Sequence, residues 1–536
     1  MFAGLWSGHD SSYALFDSDG QLAHHCEIER HMREKEIAFD SLQFMKQQKI
    51  DLASIDAFAT CWSTNAIKRS PEFQAIAHKR LHVIGHHEAH AADARFSSKF
   101  ESCAILVIDG GGYDDNANTT IATSLWISKN PNHLESVLKI QEHDLNIGGI
   151  WSRATRYVFG LESGWPQGHQ AGSVMAMAAL GDPKKYHERF MKAFTTDRVK
   201  AQAAPAGHVK GMSAKDPRRP THKYFADLEQ QAKTSEQEMF DLAAGLQSAT
   251  ETLVFELVDR ARSVSKNICL TGGVALNTVI AGKLLTRYPD TKFFIPAVPY
   301  DGGLCVGAVK HMLHVADKRK WSPSESWHVP YYGSSYDASA DIKAFALDNN
   351  DSYSITDASD ADVIKLLSEN KIVAVFNGRS ECGRRALGHR SILANPACQN
   401  MKNLVNERVK HRQHYRPFAP AILRECVSDW FEIDADSPYM SFVLKFKSSA
   451  ALKVLAVVHH DGTARLQTLT KLDNAWFYDF VKMWYEFSGV PMLLNTSFND
   501  REPICETPKH ALHCFKNTDI DALYFINEGT LISKRS

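Results

Sequence analysis

Two imidazoles four residues apart, His86 and His90 in Gly85-His86-His87-Glu88-Ala89-His90, mark where metal chemistry would begin in this chain. The stretch reads as a helix start, and residues at that spacing share one face. Two neutral imidazoles on one face hold a divalent cation when carboxylates arrive from elsewhere; zinc, iron, copper and nickel suit them, and manganese is also accommodated. With 25 histidines such a pair also arises by chance, so the site depends on what converges with it. Asp109 ends the apolar run Cys103 to Ile108 and precedes Gly110-Gly111-Gly112, a strand delivering a carboxylate into a flexible turn. Asp301 lies in Val298-Pro299-Tyr300-Asp301-Gly302-Gly303. His86, His90, Asp109 and Asp301 are expected to form one metal site.

At 536 residues the chain exceeds what one hydrophobic core supports, and 44% hydrophobic residues predict folded domains, two or more of them. Sixty-one Lys+Arg against 62 Asp+Glu argue against a polyanion-coating role, so anion chemistry must be local. No run reaches the roughly 18 apolar residues that cross a bilayer, and the start lacks a charged n-region and a cleavage site. A soluble, cytoplasmic protein with no membrane or nucleic-acid partner is expected. Ten cysteines without a Cys-x-x-Cys read as reduced core thiols.

The elements that must position these residues follow from local pattern. Strands are predicted at Phe2 to Trp6, Tyr13 to Phe16 and Gln21 to Ile28, the last two joined by an Asp17-Ser18-Asp19-Gly20 hairpin. The polar turn Ser7-Gly8-His9-Asp10-Ser11-Ser12 would project His9 into a cleft. Strand, turn and strand recur from Ala104 through Thr119 to Ile127, a weak internal repeat. A helix over Phe240 to Val264 and a strand at Ile268-Cys269-Leu270 lead to Thr271-Gly272-Gly273-Val274-Ala275-Leu276-Asn277, a turn whose amides would face an anion. The polar stretch Thr195 to Glu238 reads as a long loop or lid for an acceptor. Lys318 to Asp360 is the best domain boundary, drawn at 345/346.

Beyond it the chain becomes locally basic. From Asn377 to Arg416, nine Lys/Arg face Glu381 and Glu407 alone, interspersed with Gly378, Gly383 and Gly388. Arginine offers planar forks to phosphate or carboxylate oxygens. The strand-like Gly462 to Thr468, carrying Arg465, and Pro491 to Asn499, ending in amide and hydroxyl donors, look like walls of the same pocket.

Taken together, Gly8-His9-Asp10-Ser11-Ser12, His86-His87-Glu88-Ala89-His90, Gly272 to Asn277, Gly383-Arg384-Arg385-Ala386-Leu387-Gly388-His389-Arg390-Ser391, Arg416-Pro417-Phe418-Ala419-Pro420 and Asn495-Thr496-Ser497-Phe498-Asn499 resemble the O-carbamoyltransferases of the NodU/CmcH family. The resemblance spans nearly the whole chain. It implies an α/β protein: an N-terminal actin-like domain (ASKHA, a duplicated ribonuclease H-like unit) over 1–345, followed by a YrdC-like α/β domain over 346–536. It further implies that the second domain makes carbamoyl adenylate from carbamoyl phosphate and ATP, the latter with Mg2+. The first domain then passes the carbamoyl group to a hydroxyl of a small natural-product acceptor at a metal site. Iron is the expected ion, with manganese or zinc as alternatives, in a monomer or homodimer.

In that scheme Arg385, Arg416, Arg465, Asn495 and Ser497 bind carbamoyl phosphate and ATP, and His9, whose pKa class suits the task, is the general base. Asp10 and Asp301 would face the acceptor. Lys35, Gly110, Gly111, Gly272, Gly273 and Asn277 would meet the nucleotide or adenylate in the first domain. Two positions depart from the family pattern: Ser173 stands near a usual lysine, and Glu36-Ile37 replaces a His-Asp pair. An actin-like small-molecule kinase would need neither the basic second domain nor the histidine pair. A tRNA threonylcarbamoyl-type transferase would favour a basic surface. A nucleotide-gated interaction protein would need no metal ligands.

Overall fold

In the computed structural model, which describes residues 1–61, 67–114, 119–161, 170–203, 222–322, 330–349 and 351–535, the apolar runs form the strands of three mixed sheets. The first contains β1 (Phe2–Trp6), β2 (Ser12–Phe16), β3 (Leu22–Glu27), β4 (Ala57–Thr60) and β5 (Arg80–Val83), ordered β3-β2-β1-β4-β5. The second contains β6 (Cys103–Asp114), β7 (Thr119–Ser128), β8 (Glu135–Gln141), β9 (Asn267–Thr271) and β10 (Lys292–Phe294), ordered β10-β9-β6-β7-β8. Read from the other edge this is the same order. The senses also match: the first three strands of each sheet pair antiparallel and the last two add in parallel. The repeat suggested by two hairpins is thus a repeat of whole sheets.

Each sheet is covered by a helix from the other half. The helix His86–Ser97, which follows β5, packs on β6, whereas Leu304–Lys310, which follows β10, packs on β1 and β4. The two helices also pack on each other. Gly307 permits this, since a Cβ there would lie 1.9 Å from Ala89 O. Buried Ala89, Leu304, Cys305, Ala308 and Val309 join Phe2, Trp6 and Phe16 in one core.

Two expectations change. At the two ends of the 195–238 stretch, Arg198–Ala201, Lys223–Phe225 and Ala226–Ala232 are helical rather than loop, with Phe225 and Leu228 buried; residues 204–221, where Pro and Gly predict the loop, lie outside the described residues. Apolar side chains spaced along this polar stretch anchor it.

The chain divides into two compact units, Met1–Trp327 and His328–Ser536, ahead of the 345/346 boundary. The intervening segment bonds to the second unit: Cys382 N–H donates to Pro330 O (2.6 Å), Gly333 N–H to Ser380 O (3.0 Å), and Tyr331 stacks on His389 at 3.8 Å. That unit is built on a nine-stranded sheet of β11 (Tyr353–Asp357), β12 (Val373–Phe376), β13 (Arg390–Ala394), β14 (Ala419–Leu423), β15 (Phe442–Lys445), β16 (Thr463–Leu469), β17 (Met492–Ser497), β18 (Ala522–Phe525) and β19 (Thr530–Lys534). Its order is β11-β19-β18-β12-β13-β17-β14-β16-β15.

Candidate functional site

Gly85 caps the helix that carries the imidazoles, with Glu88 reaching back toward the Gly85 N–H, so His86 and His90 fall one turn apart on its buried side. Asp109 reaches them from a bulge in β6, where the pairing with β7 slips between Ile108 and Gly112. A Cβ on Gly112 would stand 2.2 Å from His86 Cδ2, so only glycine lets the bulge close on the ring. Asp301 opens a short 3-10 turn held on three sides. Tyr300 OH donates to Glu27, while His25 Nε2–H and Ser12 O–H donate to Gly302 O at 2.8 and 2.9 Å. None of these three clamps was singled out from sequence, because their partners are nearly 300 residues away.

The four predicted ligands converge. His86 Nε2 lies 3.1 Å from Asp109 Oδ2 and 3.5 Å from Asp301 Oδ1; His90 Nε2 lies 3.7 and 3.5 Å from the same atoms. All four residues are buried, and one ligand atom from each falls within 4.8 Å of every other. His90 Nε2 has no hydrogen-bond partner among the described residues. A buried bare nitrogen facing two carboxylates fits a cation, and the group is a candidate metal-binding cluster.

Electrostatics knit the cluster together. Burial is the largest influence on His86 and presses its pKa down, but Asp301 and Asp109 outweigh it and hold the ring up at about 9; His90 is raised by the same carboxylates. Asp109 is held well below the carboxylate range by His86 and His90 despite burial, and Asp301 is likewise depressed by His9 and His86. His9 bridges outward: Nε2 lies 3.3 Å from Asp301 Oδ2 and Nδ1 2.9 Å from Asp10 Oδ2. Its side chain is 64% exposed, so an incoming molecule can reach it. Asp301, then Asp10, raise its pKa to about 10. Asp10 is itself buried, with φ 58°, and its carboxylate bonds the His9 ring.

The expected phosphate amides divide. Gly272 N–H donates to Pro299 O (2.7 Å) and Gly273 N–H to Asp109 Oδ1 (3.0 Å), so these two amides are taken within the fold and the turn holds the Asp109 carboxylate of the candidate cluster. Asn277 caps the helix Thr278–Arg287 and bonds Gln247. Gly110 is exposed and Gly111 half-buried at the bulge; Asn146, not anticipated, ties Gly110 O to Gly149 N–H. Lys35 is half-buried in the turn after Ile28–Met32, where Glu36 N–H donates to Glu29. Ser173 is buried in the helix Ala171–Ala178.

In the second unit the basic run separates into two populations. Arg390 is fully buried, donates to Gly378 O and Asn377 O, and lies 3.6 Å over Phe376. Lys410 donates to Asn499, Arg379 to Gly333 O and Tyr332 O, and Arg408 pairs with Asp519. The first three hold the fold, whereas the Arg408 pair is half-exposed. Arg385, Arg416 and Arg465 come together, joined by Arg412. Burial, then their like charges, lower the pKa of Arg412 and Arg465. Arg465 Nε is buried without a hydrogen-bond partner among the described residues.

Asn495 donates to Ala386 O (3.1 Å) and Gln467 Oε1 (2.8 Å), and Ser497 O–H to Asn499 Oδ1 (2.7 Å). Their N–H and O–H groups are thus engaged within the fold, and Asn495 Oδ1 is buried without a hydrogen-bond partner among the described residues. Glu381 does more than offset the charge of the run. Its Oε1 accepts from Leu387, His389 and Arg390 N–H and so folds the loop that carries Arg384 and Arg385.

Comparison with known proteins bears on this arrangement. Residues 27–310 match the family described as Carbamoyltransferase N-terminus, and residues 364–534 match Carbamoyltransferase C-terminus. Nodulation protein NolNO of Sinorhizobium fredii is 30% identical over 469 residues, 85% of this chain and 64% of that protein. Nodulation protein NolO of Bradyrhizobium diazoefficiens is 31% identical over 451 residues, covering 82% of this chain and 77% of the other. MJ1051 of Methanocaldococcus jannaschii, an uncharacterized protein, is 28% identical over 550 residues and the full length of both. Among solved structures, full-length HypF in the phosphate- and nucleotide-bound form aligns over 60% of this chain and 56% of its own, at 13% identity and TM-score 0.35. Both halves of the family signature occur in order across most of the sequence, and the chain belongs to the carbamoyltransferase family.

Proposed function

We propose that the chain is an ATP-dependent O-carbamoyltransferase that makes carbamoyl adenylate in its YrdC-like second domain and transfers the carbamoyl group to a small-molecule hydroxyl in its actin-like first domain. The observation that carries this reading is the convergence of His86, His90, Asp109 and Asp301 beside exposed His9. The duplicated sheet order supports the actin-like assignment.

The chemistry balances in three steps. Water releases phosphate from carbamoyl phosphate to leave carbamate. A carbamate oxygen attacks the α-phosphorus of MgATP and expels pyrophosphate. The acceptor oxygen then takes the carbonyl carbon and AMP leaves. Arg385, Arg416 and Arg465 bind the phosphates, and the bare Asn495 Oδ1 accepts from the carbamoyl N–H. In the first domain Gly110, Gly111 and Lys35 would meet the adenylate.

His86, His90, Asp109 and Asp301 would hold one divalent ion, for which iron is proposed and manganese or zinc also suit the mixed nitrogen and oxygen donors. When bound, it supplies positive charge for the oxygen at which charge develops. His9, the exposed imidazole beside the cluster, is the group placed to remove the acceptor proton, with Asp10 fixing its orientation. Carbamoyl-phosphate-dependent release of pyrophosphate from ATP tests the first stage. A screen of hydroxyl metabolites for a carbamoyl mass gain tests the second. Phosphate transfer to a hydroxyl, with no pyrophosphate, would replace this reading with a kinase.

A further inference from the structure

On β16, Thr463, Arg465 and Gln467 alternate onto one face. Gln467 meets Asn495 at one end of this row. At the other end, His459 Nδ1 lies 3.1 Å from Thr463 Oγ1 across the turn that leads into the strand. Thr463 donates its single hydroxyl proton to Asp461 Oδ1 at 2.6 Å. It can therefore only accept from His459, which puts the imidazole proton on Nδ1 and leaves Nε2 bare. His459 Nε2 is buried without a partner among the described residues, as is Arg465 Nε on the same row. From Gln467 to Thr463 is four residues, about 13 Å of strand. That exceeds what a carbamoyl phosphate alone would span.

We infer that the anion pocket of the second unit runs along β16 and that His459, with Lys402, forms its far end, a subsite for the terminal phosphates of a nucleoside triphosphate. The assignment rests on the carbamoyl adenylate reading for what fills the near end. A bare imidazole nitrogen repels a phosphate oxygen, so His459 has to gain a proton as the phosphates arrive and then donates it from Nε2. In the protein alone, burial outweighs Asp461, and Arg465 and Lys402 add to it, holding the ring neutral with a pKa of about 4. Bound phosphate reverses that balance. A group whose pKa rises on binding strengthens binding below that raised value, so affinity for the terminal phosphates falls as pH rises through it.

Calorimetric titration of the full chain with inorganic pyrophosphate and, separately, carbamoyl phosphate tests this on either side of neutrality. His459→Asn, which keeps an N–H for Thr463, is expected to weaken pyrophosphate about tenfold, the worth of one charge-assisted hydrogen bond. It should leave carbamoyl phosphate within about twofold and cut the pH dependence back to the part set by pyrophosphate's own ionisation. Lys402→Met should weaken pyrophosphate and keep the pH dependence. Equal losses for both ligands, or none, would overturn the subsite. Wild-type protein that bound pyrophosphate through His459 but not carbamoyl phosphate would instead leave the subsite standing and remove the proposed reaction.

Discussion

The two pockets handle charge in opposite ways. Around His86, His90, Asp109 and Asp301, acids and imidazoles alternate, so each charge finds its opposite within 3.1 to 3.7 Å. Around Arg385, Arg412, Arg416 and Arg465 the charges share one sign, and burial, then the like charges, lower the pKa of Arg412 and Arg465. A mixed cluster satisfies itself and assembles as the chain folds. A single-sign cluster depends on a scaffold that compels it, here Glu381 clamping the arginine loop and Arg390 and Lys410 pinned to backbone carbonyls. Ligand binding should therefore stabilise the second unit against heat more than its own residues do.

The contrast breaks most severely with His90→Ala. Removing one of four ligands should lose the metal and take transfer to background, while pyrophosphate release continues; metal analysis beside both half-reactions reads it. His9→Ala is expected to lower transfer about 10²- to 10⁴-fold with metal content intact, because the base lies outside the ligand set. Rapid-quench measurement with preformed adenylate isolates that step, and an unchanged rate would move the base role elsewhere.

In the other pocket, Arg416→Ala should cut carbamoyl-phosphate-dependent pyrophosphate release about 10²- to 10³-fold and leave metal content alone. The smallest effect sharpens the division among the cations. Arg408→Ala removes a half-exposed pair with Asp519, so about 0 to 1 kcal/mol of stability and no change in ATP affinity are expected from melting and titration. Weakened ATP binding in that variant would mean that the outer cations steer the ligand.

Much of this was readable from residue order. The candidate metal cluster was legible because a helix repeat and two Asp-Gly-Gly turns each signal themselves locally, and His86, His90, Asp109 and Asp301 do converge. The first two hairpins and the long helix, observed over Glu236–Arg262, were legible from turn chemistry and periodicity. What stayed hidden depends on distant partners. β4, β5, β8 and β10 are short, or partly exposed, and become strands only by pairing with neighbours. The Gly272-Gly273 turn looked like an anion site because its sequence cannot say that Asp109, more than 160 residues earlier, takes the amide. Likewise a count of nine cations does not separate Arg390, which faces carbonyl groups, from Arg412, which is buried beside the like charges of Arg416 and Arg465.

The exchange of helices between the halves of the first unit bears on how the chain is made. β1, β2 and β4 are complete once residue 60 has emerged, yet their covering helix Leu304–Lys310 follows about 250 residues later. At ribosomal rates of roughly 5 to 20 residues per second, the apolar face around Phe2, Trp6 and Phe16 waits on the order of 10 to 50 seconds for its lid. Through that interval the nascent first half is a substrate for chaperones, and a ribosome stalled before residue 304 releases a fragment that exposes this face to aggregation.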